Sequence, residues 1–496
     1  MTNQQQRLLR ASLVSLVGAV VFLVLATANS GGYRYGISDQ AYYLPAVQQH
    51  LDPHLFPKDR DLLNAQSHLM ATDELTAAVV RATGASLPQV AVAVYVLTLL
   101  VLLLTAGTFG RGLGLPWWAI ALLGVLLTFR HRIAKTGANS LEGYMHPRQL
   151  AFAVGVAAFA AVVRGRHGLA FFLIGAAAVL HPTTALWFGI VVAIAAFVSR
   201  RSWRPALAVA GLLVGAASIW AVVAGPLAAR LVIMDPEWLN VLAEKDYLFP
   251  TDWRIDTWAL NLAYPVVIMA IWRLRQRSGL ATQSERGLMY GLVALVAVFL
   301  ISVPLTKSHL ALAVQLQVTR VFWILDFVTM VSVAWWLTRS RRPAIAALCI
   351  FATASAARGF YLLEVANPDR QLVTVSLPDT EWVDAMQWLS TQPSDWHVLA
   401  DPGHAWKYGV SVRVAASRDT LLESVKDSAL ALYDRDVAMR VKDRTQATLE
   451  YDQITTARVL ALDVRFQLDA VVVHVDHALN LPLLYRNDRF AIYDVR

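Results

Sequence analysis

Cysteine is almost absent: the one thiol, Cys349, falls inside an apolar run, so no intramolecular disulfide can form and the residue is expected to be a packed apolar side chain. Charge is scarce too. Asp, Glu, Lys and Arg make up 16% of the 496 residues against 57% hydrophobic ones, a balance foreign to disordered chains and to ordinary soluble domains. No internal repeat or low-complexity tract occurs. No glycine-rich phosphate fingerprint follows a strand-like segment, the nearest approach being Asp401-Pro402-Gly403. The net charge of +8 is not gathered into a basic-aromatic module, so nucleic acid is not expected as a partner. With no cysteine pair, no metal site is assigned; a divalent cation bridging an aspartate and a phosphate stays open.

What the chain has in quantity is long apolar runs, near 9–28, 88–109, 116–129, 149–163, 169–180, 183–198, 205–225, 257–272, 287–304, 320–337 and 343–358. A bilayer crossing takes about 20 such residues, so the runs predict a polytopic α-helical membrane protein of about eleven spans, several of them short. Short cytoplasmic loops carry the excess of Lys and Arg. Placing Arg7 and Arg10 inside puts Arg111, Arg164/Arg166, Arg200/Arg201/Arg204, Arg273/Arg275/Arg277 and Arg339/Arg341/Arg342 inside as well. An odd number of crossings then leaves the C-terminal part outside, in the cell inner (plasma) membrane. Arg130-His131-Arg132-Ile133-Ala134-Lys135 breaks this pattern, being basic yet outside; either the count slips there or the loop binds an anion. Ala26-Thr27-Ala28 resembles a processing site, but the apolar stretch before it, about 18 residues, exceeds a usual signal core and reads as an anchor.

Composition divides the chain into a membrane domain, 1–358, with a long first outer loop at 30–87, and a polar tail at 361–496. The tail alternates helix signals (379–391, 430–441, 451–466) with β-rich runs (397–400, 412–415, 469–475, 490–495), as expected of an extracytoplasmic α/β domain. The outer loop is too long and too aromatic for a connector, and Thr72-Asp73-Glu74 opens a helix-like stretch within it.

Polar residues expected at the outer ends of the spans form one set: Asp39, Asp59, Asp61, Arg130, Arg132, Lys135, His146, Arg148, His181, Arg254, Lys307, His309 and Arg320. Many cations with a lone carboxylate suit a reaction in which a phosphorylated group leaves while a base takes a proton from an acceptor hydroxyl. Asp39 is the candidate base, with Tyr42 and Tyr43 beside it in Gly36-Ile37-Ser38-Asp39-Gln40-Ala41-Tyr42-Tyr43, although a cap on the following helix would also explain it. His146-Pro147 and His181-Pro182 each interrupt apolar runs, and broken helices at membrane depth occur only where they are buried or line a cavity. The ordinary alternative is a turn-shaping proline with a capping histidine. Arg320 and Asp326 open a later run, the acid about 9 Å deeper at 1.5 Å per residue; it reads as functional or as half of an ion pair.

An early acid in Ser38-Asp39-Gln40-Ala41-Tyr42-Tyr43 on the first outer loop, broken outer span ends, basic outer loops and an outside α/β tail together resemble the GT-C superfamily of membrane glycosyltransferases. Val412-Arg413-Val414 with Lys426-Asp427 is similar to stretches in the extracytoplasmic domains of bacterial members. The resemblance implies a polyprenyl-phosphate-linked sugar donor, a glycan or lipid acceptor, and inverting transfer with Asp39 as base and Arg132, Arg148 or Arg320 on the leaving phosphate. Gln40 stands where many members carry a second carboxylate, which points away from the metal-assisted and protein-glycosylating branches. A transporter or lipid flippase, with its weight on Asp326, and an envelope scaffold remain as alternatives.

Overall fold

In the computed structural model, which describes residues 3–225 and 227–496 and side chains from residue 12 onward, every expected apolar run forms a helix. The side chains of Arg7 and Arg10, on which the orientation begins, lie outside the described ones. The N-terminal part runs α1 (Asn3–Asn29), α2 (Gln40–Leu51), α3 (Arg60–Ser67), α4 (Thr72–Thr83), α5 (Leu87–Gly112), α6 (Trp117–Thr128), α7 (Pro147–Val163), α8 (His167–Leu180), α9 (Pro182–Ser199) and α10 (Arg204–Val223). It continues through α11 (Pro236–Leu242), α12 (Ile255–Arg277), α13 (Gln283–Lys307), α14 (Ala311–Gln315), α15 (Val321–Leu337) and α16 (Arg341–Phe360). Among the described residues, seven helices are long and apolar enough to cross a membrane, and four apolar segments are shorter: 12–28, 117–128, 147–163 and 167–180.

Helix pairs α9/α13, α5/α7, α7/α8 and α12/α15 bury one large core around Phe109, Phe152, Phe159, Phe188, Phe299, Phe322 and Phe327, and α16 packs on α6 beside it. Close approach of α13 to α9 depends on two glycines. A Cβ on Gly291 would lie 2.8 Å from Val191 backbone atoms, and one on Gly287 2.7 Å from the Ala195 carbonyl oxygen. Small residues four apart are the usual device for bringing helix backbones together in a bilayer. Cys349 departs from expectation: it lies exposed on the outer face of α16, because that helix turns its apolar residues to the surroundings as well as to the bundle.

The tail folds as α17 (Glu381–Ser390), α18 (His404–Lys407), α19 (Val412–Ala416), α20 (Ser424–Leu430), α21 (Arg435–Ala447) and α22 (Thr456–Phe466) around a five-stranded sheet. Strands in chain order are β1 (Tyr33–Arg34), β2 (Arg132–Ile133), β3 (Ala138–Asn139), β4 (Val373–Thr374), β5 (His397–Leu399), β6 (Asp419–Thr420), β7 (Ala470–His474), β8 (Leu483–Arg486) and β9 (Phe490–Asp494). The sheet order is β6-β5-β7-β9-β8, with β6, β5 and β7 parallel and the β9 and β8 pairings antiparallel. The run at 412–415, expected as a strand, is the helix α19: Ser411 caps it by accepting from the Val414 amide at 3.2 Å, and a local cap outweighs the strand preference of two valines. The helix expected over 430–441 breaks at Asp434, whose carboxylate caps α21.

Three features join the tail to the first loop. Strand β1 pairs in parallel with β4 through Tyr33–Val373 and Arg34–Thr374. Tyr35, Leu44 and Val47 share an apolar core with Trp382, Met386, Val412 and Val414, and Leu62 of α3 packs with Trp238 of α11 and Leu430 and Val441 of the tail. Loop and tail are thereby one structural unit lying over one end of the bundle.

Candidate active site

Asp39 occupies the N-cap position of α2 but does not cap it: its φ and ψ are −69° and −11°, and no side-chain capping bond forms. The carboxylate is held elsewhere. Oδ1 accepts from Lys426 Nζ at 2.7 Å and Oδ2 accepts from His146 Nε2 at 3.3 Å. Ser38, with φ +55°, bends the chain so that the acid turns away from the helix, and its hydroxyl accepts from Tyr144 at 3.1 Å. Gln40, next in the chain, is structural. Its Oε1 accepts from the Gly36 amide at 2.7 Å and its Nε2 donates to the Met145 carbonyl at 3.3 Å, so this side chain ties the acidic turn to the segment bearing His146.

The His-Pro pairs are one device used twice. In each, proline supplies the first helical residue and histidine the cap: His146 Nδ1 accepts from the Arg148 amide at 3.2 Å, and His181 Nδ1 from the Thr184 amide at 3.3 Å. An Nδ1 that accepts carries no proton, so the hydrogen sits on Nε2, which in His146 donates to Asp39. Capping and site building are thus done by opposite edges of one ring.

Burial, and then the Arg148 charge, lower the His146 pKa against the pull of Asp39, so this ring is neutral. For Asp39, burial pushes upward, but Lys426 and His146 more than offset it and hold the carboxyl well below its usual range. Lys426 answers in kind: burial lowers it, Asp39 raises it further, and its pKa stands above the ordinary lysine value. Burial and the Arg320 and Arg148 charges keep His181 neutral, well below the usual histidine range.

Beside Asp39 lies a cationic cluster. Arg148 is braced by Glu142 at 3.0 Å and by the Gly137 carbonyl at 3.2 Å, with Trp323 under its guanidinium at 5.6 Å. Its Nε, and that of Arg320, are buried without a hydrogen-bond partner. Unpartnered guanidinium N–H groups in a buried site are donors awaiting an anion. Tyr43 stacks edge-on against His146 at 5.3 Å and accepts from Gln66 at 3.2 Å, while Tyr42 lies 4.4 Å from Tyr43. From His146 an almost wholly apolar groove of about 110 Å³ opens between Leu75, Val79, Val90, Val94 and Leu150.

Asp39, Tyr42, Tyr43, His146, Arg148, His181 and Arg320 therefore meet at one place. Other expected residues do not join them. Arg130 donates to the Leu141 carbonyl at 3.0 Å and lies 3.6 Å from Glu142, on the far side of that acid from Arg148. Lys135 pairs with Asp246 and His131 with Asp326 at 3.1 Å, so the basic segment 130–135 is a hairpin of mostly spent charges in which Arg132 stands exposed. Arg254 pairs with Asp256 on the surface, and His309 packs edge-on against Phe249 at 5.8 Å. Lys307 and Asp61 are exposed. Asp326 is taken by His131 rather than Arg320, because the turn at 318–320 carries the arginine to the Arg148 side. Asp59 is fully buried and structural, bound by Arg413 Nε at 2.7 Å, by Arg440 and by the Thr420 amide at 3.1 Å.

Four contributors escaped the sequence reading. Lys426 was noted only as part of a motif, and nothing local marks a residue 387 positions away as the partner of Asp39. Glu142 was overlooked, although an acid after a basic loop is a visible signal. Glu423 is buried with neither oxygen bonded and its pKa pushed up to about 8 by burial and then Asp427; Lys245, which donates to Val425 O at 3.0 Å, feels Asp39 and Lys426. The outer loop does contain a His-x-x-x-His and an Asp-x-Asp spacing, His50/His54 and Asp59/Asp61, against the expectation of neither; His50 faces Glu74 at 3.7 Å, Asp59 is buried among arginines, and no group of three metal-type ligands occurs among the described residues.

No family model matches the chain, and no curated protein matches it. Among solved structures, the chain is similar to the oligosaccharyltransferase of Archaeoglobus fulgidus tethered to an acceptor peptide, at 12% identity and a TM-score of 0.46 over 93% of this chain and 69% of that one. A likeness of that size leaves the assignment to the chain's own residues.

Proposed function

We propose that this chain is a membrane glycosyltransferase that moves a sugar from a polyprenyl-phosphate donor to a hydroxyl acceptor, with inversion and with Asp39 as general base. One observation carries the reading: Asp39, bonded to His146 at the mouth of an apolar groove, sits beside two buried guanidiniums that keep unpartnered donors, while the other carboxylate there, Glu142, is spent on Arg148. The groove suits the first isoprene units, Arg148 and Arg320 suit the phosphate that leaves, and neutral His181 donates from Nε2 without adding charge. Asp39 and the tail side chains above it face the acceptor.

As it stands Asp39 is a weak base, since Lys426 and His146 stabilise its ionised form. Catalysis then requires the acceptor hydroxyl to take the place of Lys426 at Oδ1. With the ammonium withdrawn, burial raises the basicity of the carboxylate as the proton moves. Lys426, freed, lies where it can pair with Glu423, whose electrostatic field it already feels.

Transfer of labelled sugar from polyprenyl-phosphate donors, measured in membranes with matched amounts of folded protein, tests the assignment. Asp39→Asn is expected to lower the rate by roughly 10² to 10⁴-fold while leaving the melting temperature in place. Full activity in Asp39→Asn removes the base from the mechanism.

A further inference from the structure

The tail domain holds a second cleft whose lining shares no residue with the Asp39 site. Sheet order decides its position. From β5 the chain passes to β6 on one side, then crosses to β7 on the other, so the carboxyl ends of β5 and β7 lead into connections that diverge. Open α/β sheets bind ligands in the crevice outside the strand ends at such a switch point. A cleft of about 220 Å³ lies there, between Asp401 just beyond β5 and Val472, Val473 and His474 at the end of β7.

Its walls are aromatic. Trp382, Tyr408 and Phe490 pack mutually with centroids 4.8 to 5.2 Å apart, and Tyr451 stands opposite, fixed by donation to the Val472 carbonyl. Asp401 is largely buried, 10% of its side chain exposed; Oδ1 accepts from the Gly403 amide at 2.7 Å and Oδ2 from Lys407 at 2.5 Å. His477 is bonded through Nε2 to the Ile454 carbonyl at 2.5 Å, which leaves its Nδ1 as an acceptor, and His474 is exposed at the edge.

This lining narrows the ligand. A phosphate would meet Asp401 and Asp452 with no glycine-rich loop, and the helix after β5, α18, has only four residues to offer. A metal lacks ligands, since no group of three occurs among the described residues. A cation is forestalled because Lys407 already neutralises Asp401 and approaches Asp452 at 3.7 Å. A purely apolar ligand would cover the remaining lone pairs of Asp401 and the free ring nitrogen of His477 without giving either a donor. What remains is a neutral polyhydroxylated ring: aromatic side chains take its C–H edges, and carboxylate and imidazole acceptors take its hydroxyls. The volume falls below the roughly 300 to 1,000 Å³ of sites for larger ligands and suits one ring. We propose that the switch-point cleft of the tail domain is a binding site for a single neutral sugar residue.

The test uses the full chain in lipid nanodiscs, titrated with methyl glycosides of pentoses and hexoses and, in parallel arms, with inorganic phosphate and a nucleoside, followed by saturation-transfer NMR and calorimetry. At least one neutral glycoside is expected to bind, with affinity lowered about tenfold or more by Asp401→Asn, which keeps the acceptor for the Gly403 amide and hence the loop. Tyr408→Phe, which keeps the ring, retains most of the binding. The proposal is overturned if no neutral glycoside binds, if Asp401→Asn binds as wild type does, or if only phosphate or the nucleoside binds.

Discussion

At the scale of single residues, the chemistry turns on how one carboxylate is shared. Asp39 stands out in the sequence because it is an isolated acid after an apolar run, read first as a candidate base, with a helix cap as the compatible alternative. Only the fold removes the cap, since the strained Ser38 turns the carboxylate from the α2 amides toward His146 and Lys426. Lys426 can be tested directly. In Lys426→Met the depressing charge is gone and burial acts against His146 alone, so the Asp39 pKa rises, and the acid limb of the pH profile of kcat/KM moves to higher pH. Wild type keeps this proposed base ionised to well below the ordinary aspartate range. A profile that stays put in Lys426→Met would show that the two groups are not coupled during turnover.

At the scale of elements, helix ends and helix contacts are where local rules and tertiary demands meet. The apolar runs were legible because burial and membrane length both ask for uninterrupted hydrophobicity, and the His-Pro breaks were legible because proline ends a helix or begins one. Which face of each histidine served the cap was not, as it depends on the neighbouring helix. The approach of α13 to α9 allows a sharp check. Gly291→Val places branched carbons where the Val191 backbone already lies 2.8 Å from a bare Cβ, so the helices must part. A loss of about 1 to 3 kcal/mol is expected, read as a lower melting temperature in detergent, and it should exceed that of the same change at Gly175, where a Cβ meets nothing within 4 Å.

At the scale of the whole molecule, a buried ion network bolts the first loop to the tail. Arg413, fully buried, binds Asp59 at 2.7 Å and Asp427 at 2.6 Å, while Arg440 and Arg444 close on Asp59 from α21. Burial would raise the Asp59 pKa, but the three arginines reverse this and hold it far below its usual value. A carboxyl depressed in this way stabilises the fold above its unfolded pKa, and the contribution is lost as pH falls toward the folded value. Asp59→Asn is expected to cost about 3 to 5 kcal/mol at neutral pH, because three arginines then share the single buried carboxylate of Asp427. Thermal melts at neutral and acid pH check this: wild type should lose stability on acidification, and the variant should lose less.

The sequence by itself determined that this chain is helical and apolar over most of its length, that an α/β unit follows the last run, and that Asp39 with its histidines and arginines was the set to watch. Those features follow from composition and short-range periodicity, which each residue carries alone. Tertiary structure decided which members of that set meet, that Asp59 is a bolt and not a reactant, and that a lysine 387 residues away lies on the proposed base. It also placed a cleft at the switch point of a sheet whose strand order no local pattern encodes. Charges paired across such separations report only on where the chain folds back, and that is set by the packing of whole elements.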